Sequence, residues 1–367
     1  MIERSKEFNV KIAKIRKYLE EKKADGVVLS RVDSIAWVAC GADTYVNIAA
    51  DTGVATVLVL PEKIVVLTTR IESQRLLDEE LRELPLEVVA LPWQADREQY
   101  ADKELIKGRT MLADAPFGGL PLLPADFVRL MYDFTENEIE RYREIGRLSG
   151  GALQGACFHA KPGISEDSLA GLLARNCLDV GVQPVVILIA ADNRLLNYRH
   201  PLPTGNKIKK NVMLVVCGRR NGLIASCTRI VSAGGPDNDL KRRHEACARV
   251  DAVFNTGTRP GRRVGDIFID AMKTYTETGF DGEWNLHHQG GGAGYRGRYF
   301  LGTETCDEIV IPNSAYAWNP SITGTKCEDT LLVLPAGNEF ITRAPGWPMV
   351  KVNINGSIVE RPDILTI

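Results

Sequence analysis

The 367-residue sequence lacks the compositional features that mark several classes of protein. Its 45 basic and 47 acidic residues leave a formal net charge of −2, so no strong electric field draws it to nucleic acid or to an acidic membrane surface. Its eight cysteines form no C-x-x-C pair, and several lie in apolar runs such as VMLVVC, a pattern typical of buried thiols in a reducing compartment. The first 23 residues are charged throughout, which indicates neither a signal peptide nor a membrane span. We therefore expect a cytoplasmic protein with no nucleic-acid or membrane partner.

The spacing of apolar residues divides the chain into two regions. Residues 6–23 show a helical repeat, and the runs DGVVLS, ATVLVL and KIVVLTT that follow are rich in β-branched residues and alternate with helical segments. This alternation predicts a small α/β domain. Thr135, with Glu138 three residues later, has the pattern of a capping box that begins a helix. We therefore predict one domain over residues 1–133 and a second over residues 134–367.

The second region contains an internal repeat. Residues 161–182 and 259–280 each begin with a basic residue and Pro-Gly, continue as an amphipathic helix and reach a glycine at the same spacing. Another helical segment precedes each copy and strand-like segments follow it, including a predicted hairpin around Asn221 and Gly222. Two copies of a half-domain predict a pseudo-two-fold α/β domain with its site between the halves.

The segment HHQGGGAGYRGRYF, residues 287–300, contains a literal G-x-G-x-x-G. A dinucleotide fingerprint also needs a helix after the glycines, whereas RYFLGTETCDEIVIP has no helical period, so we interpret the match as chance. Because neighbouring side chains on a strand point to opposite faces, we expect at most one of His287 and His288 to face a given site. The glycines favour a bulged strand or a backbone that passes close to a ligand.

This plan resembles the creatinase, prolidase and Xaa-Pro aminopeptidase family, whose catalytic domain has the pita-bread fold. The local matches are YRHPLPT around His200, SCTR at 226–229, H-x-x-G at 288–291, KCEDT at 326–330 and AGNEFIT at 336–342. The resemblance implies an α/β (α+β) protein with a small N-terminal domain and a pseudo-two-fold pita-bread domain. It also implies a homodimer that acts on a small molecule or a short peptide.

Metallopeptidases of this family hold two divalent metals with two aspartates, one histidine and two glutamates. The matching positions in this sequence are occupied by Val215 or Cys217, Ser226, His288 (His287 also fits), Asn319 and Glu328. One imidazole and one carboxylate do not supply the anionic oxygens that a pair of divalent metals needs. We therefore expect no resident metal pair and no other cofactor, and a single zinc on Cys217, His288 and Glu328 is the remaining metal hypothesis.

Creatinase shows that this fold can hydrolyse a C–N bond without metal, with a histidine as acid and base, and His200 matches the context of that histidine. An imidazole of ordinary pKa, about 6.5, can take a proton from water and return it to a leaving nitrogen. We predict three catalytic residues: His200, His288 and Glu328. The predicted substrate-binding residues are His287, Tyr295, Arg298, Asn319 and Ser226.

Each predicted role has an alternative. The functional role expected of Glu328 is to bind a cationic substrate group or to orient a histidine. The structural alternative is an ion pair with a neighbour such as Arg229. Tyr295 and His288 are candidate donors to an oxyanion, and packing is the alternative role for Tyr295. Arg298 is either a clamp for a substrate carboxylate or a surface arginine. Asn319 either binds substrate or forms a turn, and the alternative for His200 is a structural hydrogen bond.

The sequence is compatible with three functions. The leading hypothesis is a metal-independent, creatinase-like hydrolase of a C–N bond in a small amide, peptide or guanidino substrate. The second is an Xaa-Pro aminopeptidase or dipeptidase with an atypical metal site. The third is a non-catalytic protein that binds a ligand or peptide in a former peptidase pocket.

Overall fold

The computed structural model describes residues 3–367, and the chain forms two compact units that divide between Glu138 and Ile139. The helix predicted to begin near residue 134 runs from Glu136 to Cys157. Thr135 forms the predicted capping box with Glu138. The Thr135 N–H donates to the Glu138 carboxylate at 2.8 Å, and the Glu138 N–H donates to the Thr135 hydroxyl at 3.3 Å.

The first unit is built on a five-stranded mixed sheet. Its helices are α1 Arg4–Lys22, α2 Val32–Val38, α3 Ser73–Arg75 and α4 Arg97–Ala101. Its strands are β1 Gly26–Arg31, β2 Thr52–Val59, β3 Ile64–Thr69, β4 Glu87–Leu91 and β5 Met111–Ala113. The strand order is β4-β3-β2-β1-β5, with parallel pairing at β3–β4 and β1–β5 and antiparallel pairing between the others.

Helix α1 places its predicted apolar stripe in the core of this unit. The buried residues of the stripe are Phe8, Ile12, Ile15 and Leu19. The helix also buries Lys11, whose ammonium lies 2.7 Å from the Glu7 carboxylate and 2.8 Å from that of Glu138. Two carboxylate partners compensate this buried cation, which would otherwise be costly to remove from water.

The second unit repeats one order of elements, a long helix, a shorter helix and then strands. The first half contains α5 Glu136–Cys157, α6 Glu166–Asp179, β6 Gln183–Ala191, α7 Asn193–Asn197, β7 Asn211–Arg220 and β8 Leu223–Ser232. The second half contains α8 Asn238–Gly257, α9 Val264–Glu277, β9 Gly290–Ala293, β10 Ser314–Trp318, β11 Ser321–Ile322, β12 Thr325–Lys326, β13 Asp329–Leu334, β14 Gly337–Phe340, β15 Met349–Ile354, β16 Ser357–Pro362 and β17 Leu365–Thr366. Among the residues that the structure describes, every helix is too short or too polar to cross a bilayer.

Two four-stranded sheets frame the second unit, in the orders β17-β8-β7-β6 and β14-β13-β10-β9. Strands β7 and β8 form the predicted hairpin. Its turn residues Asn221 and Gly222 have φ values of 49° and 74°, and a two-residue hairpin turn of type I′ requires positive φ at both. The Thr228 N–H in β8 donates to the Glu328 carbonyl oxygen at 3.1 Å and so brings the first sheet beside the KCEDT segment. This junction positions the candidate site.

Four of the five glycines in the 287–300 segment, those at positions 290, 291, 292 and 294, pack closely against other parts of the chain. A Cβ on Gly290, whose φ is +97°, would lie 2.1 Å from the Ala317 carbonyl oxygen. A Cβ on Gly291 would lie 2.0 Å from the Phe300 carbonyl oxygen. Only glycine at these positions allows β9 to pack this closely between β10 and the segment that contains Phe300.

Candidate active site

Three of the five histidines meet in one group, called here the histidine cluster: His200, His287 and His288. The Nε2 atoms of His200 and His287 lie 3.0 Å apart, and the ring centroids of His200 and His288 lie 5.6 Å apart. The expectation that at most one of His287 and His288 faces a given site is therefore wrong. Both residues precede β9 in irregular backbone, where the alternation of side chains along a strand does not apply.

Ion pairing brings the two distant segments of the histidine cluster together. Arg199, next to His200, places its guanidinium 2.6 Å from the carboxylate of Glu283, which lies in the helical turn just before His287. On the other side, the Tyr275 hydroxyl of α9 donates to the Gln289 side-chain oxygen at 2.7 Å. The Gln289 amide in turn donates to the His287 carbonyl oxygen at 2.6 Å. These contacts hold the histidine backbone from both directions.

All three imidazoles of the histidine cluster favour the neutral form. Burial and then the nearby charge of Lys326 lower the pKa of His200. The same two causes lower the pKa of buried His287 to about 2, and its Nδ1 lies 3.2 Å from the Ser321 hydroxyl. Partial burial and then Arg298 lower the pKa of His288, whose ring is exposed, to about 4. A neutral imidazole has one ring nitrogen free to accept a proton or to bind a metal.

A second group, called here the charge cluster, consists of Arg298, Lys326 and Glu328. The Lys326 Nζ lies 2.8 Å from one Glu328 carboxylate oxygen, and the Arg298 Nη2 lies 3.2 Å from the other. The Thr228 hydroxyl also donates to this carboxylate, at 2.6 Å. Burial opposes ionisation of Glu328, but the two cations outweigh it and lower the pKa of the carboxyl group. Glu328 is only 2% exposed, so its charge is already matched within the protein.

The structure shows the ion-pair alternative for Glu328, with partners other than Arg229. Its carboxylate pairs with Lys326 and Arg298, not with Arg229, which binds Asp329 at 2.9 Å instead. A carboxylate held by two cations has no charge left for a cationic substrate group. The structure therefore gives no support to the binding of a guanidinium by Glu328.

Asn319 connects the two clusters. Its side-chain oxygen accepts from Arg298 at 2.8 Å, and its side-chain nitrogen donates to the His288 carbonyl oxygen at 2.9 Å. The same nitrogen lies 3.4 Å from the His287 Nε2. The predicted residues that the structure brings together are thus His200, His287, His288, Asn319, Arg298 and Glu328.

Two other predicted residues are enclosed by protein. The Ser226 hydroxyl donates to the Cys217 sulfur at 3.2 Å, and its backbone N–H donates to the Thr330 hydroxyl at 2.8 Å. Tyr295 is 2% exposed, and its N–H donates to the Tyr299 hydroxyl at 2.8 Å. Neither side chain presents a surface to substrate in this structure.

The residues at the family's metal positions do not fit a metal pair. Cys217, rather than Val215, lies opposite Ser226 in the hairpin. Burial and then Glu328 raise the pKa of the Cys217 thiol, which keeps it protonated and a poor ligand. Glu328 is the only carboxylate at these positions, and two cations already occupy it. This donor set offers too little negative charge for two divalent ions.

A single metal ion has a different set of ligands available. In the part of the chain that the structure describes, the histidine cluster is the one group of three ligating side chains, with ligand atoms within 4.8 Å of one another. Cys217 and Glu328 do not join His288 in such a group. Three neutral imidazoles suit zinc, whereas the nearby charges of Lys326 and Arg298 oppose any added cation.

Lys326 and Ser321 are site residues that were not predicted from the sequence. A signal for Lys326 was present, because residues two apart on an extended segment point to the same face. Lys326 and Glu328 have this spacing in KCEDT, and their side chains do meet. Ser321 carries no such signal, since its contact with His287 joins segments far apart in the sequence.

The low pKa of His287 predicts a loss of stability in acid. Below pH 6.5 the unfolded chain binds a proton at this residue and the folded chain does not, so the free energy of unfolding falls as the pH falls. His287 alone should lower the free energy of unfolding by about 1.4 kcal/mol per pH unit below pH 6.5, or by about 2 kcal/mol at pH 5. Urea unfolding at pH 5 and pH 7.5, with chelator present, measures it. His287→Gln should reduce the difference in unfolding free energy between the two pH values by about 2 kcal/mol, and the part due to His200 and His288 should remain. A variant with the full wild-type pH dependence would contradict the assignment.

Curated relatives match this chain in sequence over part of its length. A probable dipeptidase PepE of Mycobacterium tuberculosis is 24% identical over 246 residues, which cover 64% of this chain and 64% of that protein. The chain spans less than two thirds of the length of the curated relatives that it matches first, 62% and 64%.

Solved structures match over nearly the whole chain. The prolidase of Thermococcus sibiricus has a TM-score of 0.80 at 16% identity, covering 98% of this chain and 99% of that one. The Xaa-Pro dipeptidase of Bacillus anthracis has a TM-score of 0.78 at 17% identity, covering 98% and 100%. These likenesses confirm the predicted α/β fold with a pita-bread domain. The sequence model of metallopeptidase family M24 matches residues 140–335, more than half of the chain, and the protein therefore belongs to this family.

Proposed function

We propose that this protein hydrolyses the C–N bond of a small peptide or amide without the metal pair of its family. The observation that carries the proposal is the contact between the Nε2 atoms of His200 and His287, 3.0 Å apart, with His200 exposed and neutral. The relatives described as dipeptidase, prolidase and Xaa-Pro dipeptidase support a short peptide as the substrate class. The homodimer and the cytoplasmic location remain predictions.

His200 is the general base and acid in this proposal. Its neutral imidazole accepts a proton from water as the water oxygen attacks the carbonyl carbon. The tetrahedral intermediate then expels its nitrogen, the C–N bond breaks, and the protonated imidazole returns the proton to that nitrogen. His287, held through Ser321, orients the His200 ring through their 3.0 Å contact. Such proton transfer contributes about 10²–10⁴-fold to the rate.

A guanidino substrate is the least favoured of the predicted classes. A guanidinium needs free carboxylates, and the Glu328 carboxylate is bound by Lys326 and Arg298. A peptide or amide carbonyl instead becomes negative as water adds to it, which suits a site with two cations.

The second candidate function is a dipeptidase with one divalent ion on the histidine cluster. The specific observation in its favour is the convergence of three imidazole ligand atoms within 4.8 Å. Three protein ligands and an open position for water are typical of catalytic zinc. In that case His200 would be a ligand and not a base.

Metal analysis combined with a substrate screen separates these functions. We expect purified protein to contain far less than one equivalent of zinc, manganese or cobalt, and to hydrolyse dipeptides or Xaa-Pro peptides equally with and without EDTA. The screen also includes creatine as a guanidino compound. One equivalent of metal with chelator-sensitive turnover would support the second candidate. Peptide binding without turnover across the screen would support a non-catalytic protein and would contradict both.

A further inference from the structure

The charge cluster has an excess positive charge in a buried place. Two cations, Arg298 and Lys326, face the single carboxylate of Glu328. Lys326 is 6% exposed and Glu328 is 2% exposed, and the side chain of Arg298 is 15% exposed, so water screens Lys326 and Glu328 little and Arg298 only in part. A buried net charge of one sign is unfavourable unless a partner of the opposite sign compensates it.

The neighbouring ionic groups do not supply that partner. Arg229, Arg361, Asp251 and Asp329 form a buried network in which two cations match two carboxylates. Near the histidine cluster, Arg199 is matched by Glu283. The other side chains of the site, those of His200, His287, His288 and Cys217, include no carboxylate. The excess positive charge of Arg298 and Lys326 is therefore not compensated by the neighbouring ionic groups.

The two cations also have donors to spare. An ammonium group carries three N–H donors, and the pair with Glu328 is the one ion pair or hydrogen bond of the Lys326 Nζ among residues 3–367. The Arg298 Nε is buried and has no hydrogen-bond partner among the same residues. Unfilled donors beside an uncompensated charge are the features of a site built to accept an anion.

We propose that Lys326 is a catalytic residue that, with Arg298 beside it, binds the oxyanion of the tetrahedral intermediate and so replaces the metal pair of the family as electrophile. This inference rests on the proposed function. In the ground state the carbonyl oxygen carries little charge, whereas in the intermediate it carries a full negative charge that neutralises the excess on the charge cluster. The interaction is therefore stronger in the transition state, which is the condition for it to raise kcat.

Lys326→Met tests the role of the charge and retains most of the side-chain volume. It leaves Glu328 paired with Arg298 and Thr228, so it creates no unpaired buried carboxylate and the protein should fold. Lys326→Arg keeps the positive charge. Lys351→Met, at an exposed lysine of β15, is the matched control. Thermal unfolding confirms the folded state of each variant.

We expect Lys326→Met to lower kcat by about 10²–10³-fold with KM little changed, since loss of one oxyanion donor has an effect of this size. Lys326→Arg should retain activity within about tenfold of wild type, and Lys351→Met should match wild type. A structural role for Lys326 would lower stability without this separation of kcat from KM. Wild-type kcat in folded Lys326→Met would overturn the proposal and leave the proposed hydrolase intact.

Calorimetric titration with a phosphinic dipeptide, in EDTA, tests the same point without turnover. This compound is an anionic tetrahedral mimic of the intermediate. We expect Lys326→Met to weaken its binding by about 10²–10³-fold and His200→Ala to leave most of the affinity, because His200 acts on the proton and not on the oxyanion. Equal affinity in wild type and Lys326→Met would overturn the inference, whether or not a substrate is found.

Discussion

Replacing His200 with alanine is expected to lower kcat/KM for the best dipeptide or amide substrate by about 10²–10⁴-fold, the range for loss of general acid–base catalysis. His200 is exposed in the loop between α7 and β7, so its removal opens no cavity in the core. Thermal unfolding should therefore be close to that of wild type. The rate loss would reflect the missing proton acceptor.

His159→Ala is the matched control for this result. His159 is also exposed, and its Nδ1 contacts the Gly155 carbonyl oxygen at 2.8 Å near the end of α5. This variant should turn over substrate at the wild-type rate. A similar loss in both variants, or no loss in His200→Ala, would exclude His200 as the catalytic base.

The pH profile of the wild type gives a second check on His200. A base must be neutral to accept a proton, so kcat/KM falls as the pH drops through the pKa of the base. Burial and the charge of Lys326 lower the pKa of His200, so the acidic limb should lie below pH 6.5. A midpoint above pH 6.5 would point to another group.

Arg361→Met is expected to lower the free energy of unfolding by about 3–5 kcal/mol, because it leaves a buried carboxylate without its cation. The Arg361 guanidinium is fully buried and binds Asp251 of α8 and, at 2.9 Å, Asp329 of β13. Asp329 keeps a partner in Arg229, at 2.9 Å, whereas Asp251 has no other ion pair among the described residues. Urea unfolding at neutral pH measures the loss.

Two further variants test whether the unpaired Asp251 carboxylate causes the loss of stability in Arg361→Met. Asp251→Leu in the Arg361→Met background removes the unpaired carboxylate, so most of the stability should return. Glu339→Gln breaks the half-exposed ion pair with Arg143, 2.8 Å in length, and should cost about 1 kcal/mol or less. Equal losses in Arg361→Met and Glu339→Gln would contradict the argument from burial.

Local elements of this protein follow directly from short stretches of sequence. The apolar stripe of α1, the capping box of Thr135 and Glu138, and the hairpin turn at Asn221 and Gly222 all appear as predicted. Each depends on residues within a few positions of one another. Backbone preference and burial of one face then act in the same direction and leave little choice of structure.

The glycines and histidines of residues 287–300 show where this reasoning fails. The sequence predicts a strand with alternating faces, whose glycines bulge it or let the backbone pass close to a ligand. In the structure the histidines precede the strand, and Gly290 and Gly291 lie against backbone from β10 and Phe300. The backbone that passes beside a glycine comes from elsewhere in the chain, so no local pattern records it.

The candidate site also combines features that the sequence predicts with features that depend on the folded chain. Residue types at matching positions were enough to predict the family and its pita-bread fold. The absence of a metal pair stays a prediction from the same positions, because the residue types there limit the chemistry possible. The contacts of Lys326 and Arg298 with Glu328, and the meeting of His200 with His287, depend on the folded chain. Their strength comes from burial and from distances of a few ångströms between segments far apart in sequence, and these quantities exist only after the sheets have packed.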